Sequence, residues 1–284
     1  MPQAVLEKYA LIAGQTSKII IHAPDIARKA RPGNFVMLRV TETGERFPLT
    51  IADTDHDRGT ITLVYLVVGK STALLERLEA GDELLDLCGP LGKNTAIEKS
   101  GTVICVGGGT GIAAMHHLAK GHHQAGNHVI AIIGARSKNL IFFEQELSLF
   151  CPELLISTDD GSYGTKGLVT ELLIERIKKD PTISEVMAVG PVPMMEAVAK
   201  VTKPFGLKTI VSLNSIMIDG VGMCGACRVT VGGETKFTCV DGPEFDGHLV
   251  DFTELKQRLR AFREQELISI NQMRQIQEAA AAVS

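Results

Sequence analysis

The sequence predicts a β + α/β fold in which an antiparallel β-barrel precedes a parallel-sheet domain, a small cysteine-containing segment and a C-terminal helix. Three observations support this prediction: short strands separated by turn residues fill the first third, strands and helices then alternate, and three of the six cysteines lie within residues 224–239. A chain of 284 residues is also too long for one ordinary core, so we expect more than one domain.

Residues 1–97 are predicted to form the barrel. Short apolar runs with β-branched residues are separated by turn signals such as RPGNF and DHDRG, which is typical of an antiparallel barrel. The predicted strands are EKYALI, SKIIIHA, NFVMLRV, FPLTIADT, GTITLVYLVV and DELLDLCG. One short helix, TALLERLEAG, interrupts them, and Gly81 is suited to end it.

Residues 98–213 alternate between apolar strands and amphipathic helices, a rhythm that predicts a parallel sheet covered on both faces. The predicted strands are TVICVGG, HVIAIIGA, LLISTDD, EVMAVG and KTIVSLN. Ligands bind such sheets at the carboxyl ends of the strands. The motifs GGGTG, GARS, TDDGS and GP should therefore share one rim.

A dinucleotide-binding pattern follows the first of these strands. Gly109-x-Gly111-x-x-Ala114 matches the glycine fingerprint, in which the backbone approaches a pyrophosphate at a helix N-terminus. The acid that usually binds the ribose at the end of the second strand is absent. Asp159 and Asp160 appear one strand later and would repel a 2′-phosphate, whereas Arg136 would attract one. The balance favours NADH over NADPH, and an acidic turn at TDDG is the alternative interpretation.

Four histidines lie on one predicted helix, at His116, His117, His122 and His123. Adjacent helical residues do not face each other, and no carboxylate joins them at ligand spacing. We therefore expect solvated surface histidines and no metal site.

Residues 214–252 contain the pattern D-x4-C-x2-C-x11-C, formed by Asp219, Cys224, Cys227 and Cys239. This is the spacing of plant-type [2Fe–2S] proteins with aspartate in the first position. A zinc site is the weaker alternative, because a second close Cys or His pair is missing. For Asp219 the alternative is a turn aspartate beside a site completed by another ligand. Glycine-rich and weakly periodic, the segment is expected to depend on its metal for order.

The other cysteines, Cys88, Cys105 and Cys151, are expected to be small buried hydrophobic residues. Residues 253–284 predict a helix, with Asp251 and Glu254 in capping-box spacing. Its apolar stripe of Leu255, Leu259, Phe262, Ile268 and Ile276 could pack on the chain's own domains or bind a partner subunit.

Composition excludes several classes of partner. The net charge of −4 and the lack of basic clusters with aromatic residues argue against nucleic acid. Apolar runs long enough to cross a membrane are missing, and MPQAVLEKYALIAG lacks the features of a signal peptide. We therefore expect a cytoplasmic protein with reduced thiols and no membrane partner.

The order of the regions, with FPLTIAD, GGGTGIAAM, TDDGSYGTKG and DGVGMCGACRVTV, resembles a known family. It is similar to the electron-transfer subunits of the dihydroorotate dehydrogenase B type, within the ferredoxin–NADP reductase superfamily. Within that group, aspartate in the first ligand position resembles the small (alpha) subunits of NADH-dependent reduced ferredoxin:NADP oxidoreductases, also described as sulfide dehydrogenase beta subunits.

The resemblance implies that FAD binds the barrel and that Thr50 lies at the reactive flavin ring. In the family, an arginine three residues before the position of Thr50 binds the FAD pyrophosphate. Phe47 occupies that position here, so Arg46 is the implied pyrophosphate ligand only if the motif is shifted by one residue. The other implied FAD residues are Pro48, Leu49, Leu66, Val67, Val68, Gly69, Ser71 and Thr72.

The resemblance also implies an NADH site, a cluster site and a partner. The NADH residues are Gly108, Gly109, Thr110, Gly111, Arg136, Asp159, Asp160, Gly190, Pro191 and Met194. Asp219, Cys224, Cys227 and Cys239 would hold the [2Fe–2S] cluster. The implied activity is hydride exchange between NAD(H) and FAD, with passage of single electrons through the cluster to or from a larger flavin and iron–sulfur subunit.

Such a heterodimer would couple NADH, NADPH and ferredoxin by electron bifurcation, with NADPH and ferredoxin bound through the partner. Two alternatives stay open. One is the NAD-linked subunit of a dihydroorotate dehydrogenase B, and the other is a redox-sensing or zinc-stabilised module that binds dinucleotide without turnover.

Overall fold

The computed structural model describes residues 3–281 and contains the predicted order of a barrel, a parallel-sheet domain, a cysteine segment and C-terminal helices. The barrel is a six-stranded antiparallel sheet in the order β1-β2-β5-β4-β3-β6, and a bridge between Ala4 and Glu83 brings its ends together. Its strands are β1 (Val5–Ile12), β2 (Thr16–His22), β3 (Phe35–Arg39), β4 (Phe47–Asp55), β5 (Thr60–Leu66) and β6 (Asp86–Leu91).

Two short helices accompany the barrel, α1 (Pro24–Lys29) and α2 (Lys70–Leu75). The sequence prediction missed α1, which begins at a proline and spans only 6 residues. Alternating residues of the strands fill the barrel interior with branched aliphatic side chains, as period-2 patterning requires. The domain is therefore held by its own core.

The second domain is a parallel sheet covered by helices on both faces. Its strand order is β10-β9-β8-β7-β11-β12-β15, and every pair is parallel except β12 with β15. The strands are β7 (Thr102–Gly108), β8 (His128–Ala135), β9 (Glu153–Thr158), β10 (Thr165–Lys166), β11 (Ile183–Val189) and β12 (Lys208–Ser212). The helices are α3 (Gly111–Gln124), α4 (Glu144–Ser148), α5 (Val169–Lys179) and α6 (Val192–Thr202).

The cysteine segment has more regular structure than we expected. It contains a hairpin of β13 (Arg228–Val231) and β14 (Glu234–Phe237), a helical turn α7 (Thr238–Asp241) and strand β15 (Glu244–Asp246). Strand β15 pairs antiparallel with β12. Hydrogen bonds to the neighbouring sheet therefore order this end of the segment, a long-range effect that local periodicity does not reveal.

Two helices follow instead of the single one predicted, α8 (Phe252–Arg258) and α9 (Arg263–Ala281). Asp251 caps α8, accepting hydrogen bonds from the main-chain N–H groups of Thr253 and Glu254 at 2.9 Å each. The reciprocal half of the capping box is not made, because the Glu254 carboxylate accepts from the N–H of Thr230 at 3.0 Å. Helix α8 is thereby tied to the hairpin.

The apolar stripe of these helices divides between two environments. Leu255 is buried and Leu259 partly buried against the parallel domain. Phe262 and Ile268 stay about half exposed, at 49% and 51%. The side chain of Ile276 and all of residues 282–284 lie outside the described part of the chain. Helix α8 thus packs on its own domains, while α9 leaves apolar surface uncovered.

Two sequence expectations about buried residues are wrong. His116, His117 and His122 are buried, because α3 packs against the barrel strand β4 as well as against its own sheet. Only His123 of the four faces solvent. Among the cysteines expected to be buried, Cys105 and Cys151 are, whereas Cys88 on β6 is exposed. Within residues 3–281, helices with the length and apolar character to span a membrane are absent.

Candidate functional site

A cavity of about 560 Å³ lies where the barrel, the parallel domain and the cysteine segment meet. The barrel contributes the predicted residues Pro48, Leu49 and Thr50 from β4 and Leu66 from the end of β5. The parallel domain contributes the turn after β7 and the start of α6, with the predicted residues Thr110, Gly111, Gly190 and Pro191. We name this space the central cavity.

A second cavity of about 360 Å³ follows the rim of the parallel sheet, and we name it the rim cavity. It lies at the carboxyl ends of β7, β8 and β9, where doubly wound sheets bind ligands. The structure brings these predicted NADH residues together there: Gly108, Gly109, Thr110, Arg136, Asp159, Pro191 and Met194.

Close backbone packing shapes this rim. A Cβ atom on Gly111 would lie 2.4 Å from the carbonyl oxygen of Val189, so only glycine allows α3 to begin here. The N-terminus of α3, a helix of 14 residues, consequently opens directly onto both cavities. Free N–H groups and the helix dipole favour an anion at such a position.

The two cavities adjoin each other. Leu66, Thr110 and Pro191 line both of them. A dinucleotide that follows the rim cavity would therefore place its far end beside the central cavity.

Several predicted residues lie outside both linings. Arg46 forms an ion pair with Asp86 on the barrel surface. Val67, Val68, Gly69, Ser71 and Thr72 surround the start of α2, where the Thr72 hydroxyl accepts hydrogen bonds from the N–H groups of Val68 and Gly69 at 3.1 and 3.2 Å. Asp160 caps its own turn by accepting from the N–H of Ser162 at 2.9 Å, and hydrogen bonding to Ser162 lowers the pKa of Asp160.

The central cavity also includes residues that sequence reasoning missed. They come from the parallel domain and from the chain after β12: Ser212, Leu213, Asn214, Ser215, Met217 and Pro243. The Ser215 hydroxyl is buried and has no hydrogen-bond partner among the residues that the structure describes. Because a buried hydroxyl without a partner is costly, Ser215 indicates that a polar ligand completes this cavity. These residues belong to no recognisable sequence motif.

The cysteines lie next to the central cavity. The Sγ atoms of Cys227 and Cys239 are 3.2 Å apart, and both residues are buried. Their contacts include Phe35 and Met217, which also line the central cavity. Burial, reinforced by Cys227, raises the pKa of the Cys239 thiol to about 12. A bound metal would displace the proton from such a thiol, because thiolates are the ligating form.

Cys224 and Asp219 lie on the exposed side of the same loop. The Asp219 carboxylate accepts hydrogen bonds from the N–H groups of Val221 at 2.8 Å and of Cys224 at 2.6 Å. The N–H of Val221 is the main reason that the pKa of Asp219 is lowered. Gly222, with φ of 84°, supplies the left-handed backbone that the loop needs between them.

These residues suit an iron–sulfur cluster in their donor chemistry. Three thiols and one carboxylate lie on one loop and the helical turn beside it, and main-chain N–H groups of Ala226 and Cys239 point to the sulfurs of Cys224 and Cys227 at 3.5 Å. In the part of the chain that is described, three His, Cys, Asp or Glu side chains are nowhere gathered as a ready metal site. The Asp219 carboxylate is directed to the backbone, so its role as a ligand stays a prediction.

The chain is similar to proteins of one family. Residues 214–251 match the iron–sulfur cluster binding domain of dihydroorotate dehydrogenase B. A dihydroorotate dehydrogenase B (NAD(+)) electron transfer subunit homolog of Thermotoga maritima is 46% identical over 262 residues, which cover 92% of each chain. The electron transfer subunit of Geobacillus thermodenitrificans is 34% identical and covers 83% of this chain and 92% of the relative.

Solved structures agree with this grouping. A structure of the NADH-dependent reduced ferredoxin-NADP oxidoreductase, studied for flavin-based electron bifurcation, has a TM-score of 0.91 and 44% identity. The match covers 96% of this chain and 98% of the other. A ferredoxin reductase of carbazole 1,9a-dioxygenase has a TM-score of 0.62 at 18% identity over 73% of this chain and 66% of the other, a likeness of fold alone.

Proposed function

The chain belongs to the dihydroorotate dehydrogenase B electron transfer subunit family, and on that premise we propose that it carries electrons from NADH to a larger partner subunit. It is an NAD(H)-dependent flavin and iron–sulfur oxidoreductase subunit of the kind found in the electron-bifurcating NADH-dependent reduced ferredoxin:NADP oxidoreductase. The partner holds the sites for NADPH and ferredoxin. We also propose that the heterodimer works in the cytoplasm, where the free cysteines stay reduced.

One observation carries this proposal: the rim cavity, the central cavity and the buried cysteine pair form a continuous series. Leu66, Thr110 and Pro191 join the first two spaces, while Phe35 and Met217 join the central cavity to Cys227 and Cys239. A nucleotide, a flavin and a cluster placed in that order would be neighbours. Electron transfer between neighbours needs no motion of the chain.

FAD fits the central cavity and the barrel surface beside it. The unpartnered Ser215 hydroxyl and the side chains of Thr50 and Asn214 offer polar partners to a flavin ring, and apolar side chains cover its faces. When bound, FAD exchanges a hydride with NADH and the [2Fe–2S] cluster accepts single electrons, chemistry that the cofactors themselves supply.

The chain's own residues bind and orient these groups. We propose that Thr50 donates a hydrogen bond to the flavin ring, and that Arg46 with the start of α2 contacts the pyrophosphate. Gly108 to Gly111, Arg136 and Asp159 hold the nicotinamide nucleotide, with Met194 packed against Gly108 beneath it. Cys224, Cys227 and Cys239 hold the cluster, and Asp219 is its fourth ligand. Orientation of the two rings supplies much of the rate.

The expected spectrum tests this function. The purified complex should show flavin and [2Fe–2S] absorption that bleaches faster with NADH than with NADPH under anaerobic conditions. A colourless protein with stoichiometric zinc would instead support a non-catalytic dinucleotide-binding module.

The second candidate is the NAD-linked subunit of a dihydroorotate dehydrogenase B, favoured by the names of the curated relatives. Reduction of the flavin by dihydroorotate in the native complex would support that assignment. Failure of dihydroorotate, together with electron transfer between NADH, NADPH and ferredoxin, would exclude it.

A further inference from the structure

A proton is left over when a hydride is divided into single electrons. A hydride is one proton and two electrons, and an iron–sulfur cluster accepts only the electrons. The proton must therefore leave the flavin for a base or for water each time that a pair of electrons passes on. This requirement rests on the proposed function.

The lining of the central cavity offers almost no base. Among the described residues of that lining, the one titratable side chain is Tyr65. Its hydroxyl donates a hydrogen bond to Glu76 at 2.7 Å, and burial raises its pKa far above neutrality. Tyr65 is therefore unsuited to accept a proton near neutral pH.

A carboxyl group lies one hydrogen bond behind the lining. Ser212 lines the central cavity, and its Oγ atom donates to Oε1 of Glu244 at 3.1 Å. Strand pairing positions these two side chains, because Ser212 and Glu244 are opposite each other in the β12–β15 pair. Side chains opposite each other in an antiparallel pair lie on the same face.

The surroundings of this carboxyl group are neutral. The hydroxyl of Thr95, which follows β6, lies beside it, and the loop at Gly33 packs over both. Burial raises the pKa of Glu244 to about 7, against the weaker opposing effect of Thr95 and Ser212. In the described part of the chain, charged side chains are not among the groups that shift it. An acid of this kind can take and release a proton at physiological pH.

We propose that Glu244, acting through the Ser212 hydroxyl, accepts the proton that remains on the flavin when its electrons leave one at a time. The N–H bond of the reduced flavin breaks and its proton forms a new O–H bond on Ser212, while the original Ser212 proton moves to Oε1 of Glu244. Both electrons leave one at a time through the cluster, which passes the first to the larger partner subunit before it accepts the second, so the flavin is oxidised by two electrons, the partner is reduced, and Glu244 gains one proton.

Infrared difference spectroscopy tests the contact between flavin and acid. The full chain with its cofactors is reduced by dithionite slightly above neutral pH, and spectra are recorded with time as an electron acceptor withdraws the electrons. Glu244 should be unprotonated beside the reduced flavin and should gain a proton as the flavin is oxidised, so the C=O band of a protonated carboxyl group should appear during this oxidation. The band should vanish in Glu244→Gln. It should persist in the control Glu185→Gln, because Glu185 is also buried but lies at the opposite end of the sheet.

Single-turnover kinetics test the transfer. After NADH reduces the flavin, reduction of the cluster should slow about a hundredfold in Glu244→Gln and in Ser212→Ala, with a smaller solvent isotope effect. The hydride step from NADH should slow much less than the reduction of the cluster in both variants. Ser212→Ala keeps the carboxyl group, so it tests the relay even if Glu244→Gln folds poorly.

The outcomes are distinguishable. Absence of the carboxyl band in the wild-type chain, or variants that match Glu185→Gln in both measurements, would overturn the role of Glu244. If NADH fails to reduce the wild-type flavin, the proposed function fails, while the dithionite spectrum still decides the question about Glu244.

Discussion

The Nδ1 atom of His117 lies 3.0 Å from the carbonyl oxygen of Ile51, the residue after Thr50 on β4. His116 makes the equivalent contact with the carbonyl oxygen of Ala52 at 3.1 Å. Helix α3, whose N-terminus opens onto both cavities, is thus hydrogen-bonded to the strand that carries Thr50. The imidazoles of His116 and His117 therefore hold the parallel-sheet domain against the barrel.

The buried histidines His117 and His122 predict that the folded chain loses stability in acid. Burial lowers the pKa of His117 and of His122 to about 4, below the ordinary value of 6.5. The unfolded chain therefore binds more protons between these values, and stability should fall as the pH drops from about 6.5 towards 4. Urea unfolding at about pH 7 and pH 5 would measure this. His117→Gln should weaken the pH dependence and the exposed control His123→Gln should preserve it; an unchanged slope in His117→Gln would contradict the prediction.

Thr50 should contribute to flavin reduction. Thr50→Val keeps the side-chain shape and removes the hydroxyl that lines the central cavity. Loss of one hydrogen bond in the reacting complex, about 1.4 kcal/mol, corresponds to about a tenfold slower reduction by NADH. Stopped-flow absorbance measures that rate. Thr54→Val on the same strand is the control, and equal rates in the two variants would show that Thr50 is only a lining residue.

Asp159 and Asp160 should affect NADH binding unequally. Asp159 lines the rim cavity, whereas the carboxylate of Asp160 caps the adjacent turn. Asp159→Ala should raise the KM for NADH about tenfold through loss of a charge-assisted hydrogen bond, and Asp160→Ala should raise it less. Steady-state kinetics with NADH and NADPH measure both effects. If neither variant changes the KM, the nucleotide lies elsewhere.

Asp219 should influence the reduction potential of the cluster. Asp219→Cys should retain a cluster and change its potential and its electron paramagnetic resonance signal, because thiolate is the softer and more covalent ligand. Val221 and Cys224 donate to different oxygens of the Asp219 carboxylate, so Asp219→Asn, which has one side-chain oxygen, should lose one of these two hydrogen bonds. An Asp219→Cys protein with the wild-type potential and signal would identify Asp219 as a turn residue alone.

Sequence patterns predicted the architecture because it depends on local periodicity. Short apolar runs bounded by turn residues marked β1 to β6, and the strand–helix rhythm marked β7, β8, β9, β11 and β12, while the two-residue strand β10 was missed. The glycine motif placed the start of α3, since only glycine fits against Val189. Local patterns predicted one C-terminal helix, whereas the structure has two, α8 and α9. They also predicted a capping box, but the Glu254 carboxylate accepts a hydrogen bond from the N–H of Thr230 and not from the N-terminus of its own helix.

The tertiary structure alone decided which side chains share a space. The burial of His116 and His117 depends on β4, which lies more than 60 residues earlier in the chain, and His122 contacts Met187 of β11. Ser212, Ser215 and Glu244 belong to no motif, and they reach the central cavity or its wall because β12 pairs with β15. The sequence by itself determined the fold class, the order of the domains and the spacing D-x4-C-x2-C-x11-C, since each depends on residues that are close together in the chain. Burial, hydrogen-bond partners and proton affinity depend on contacts between distant residues, which only the folded chain brings together.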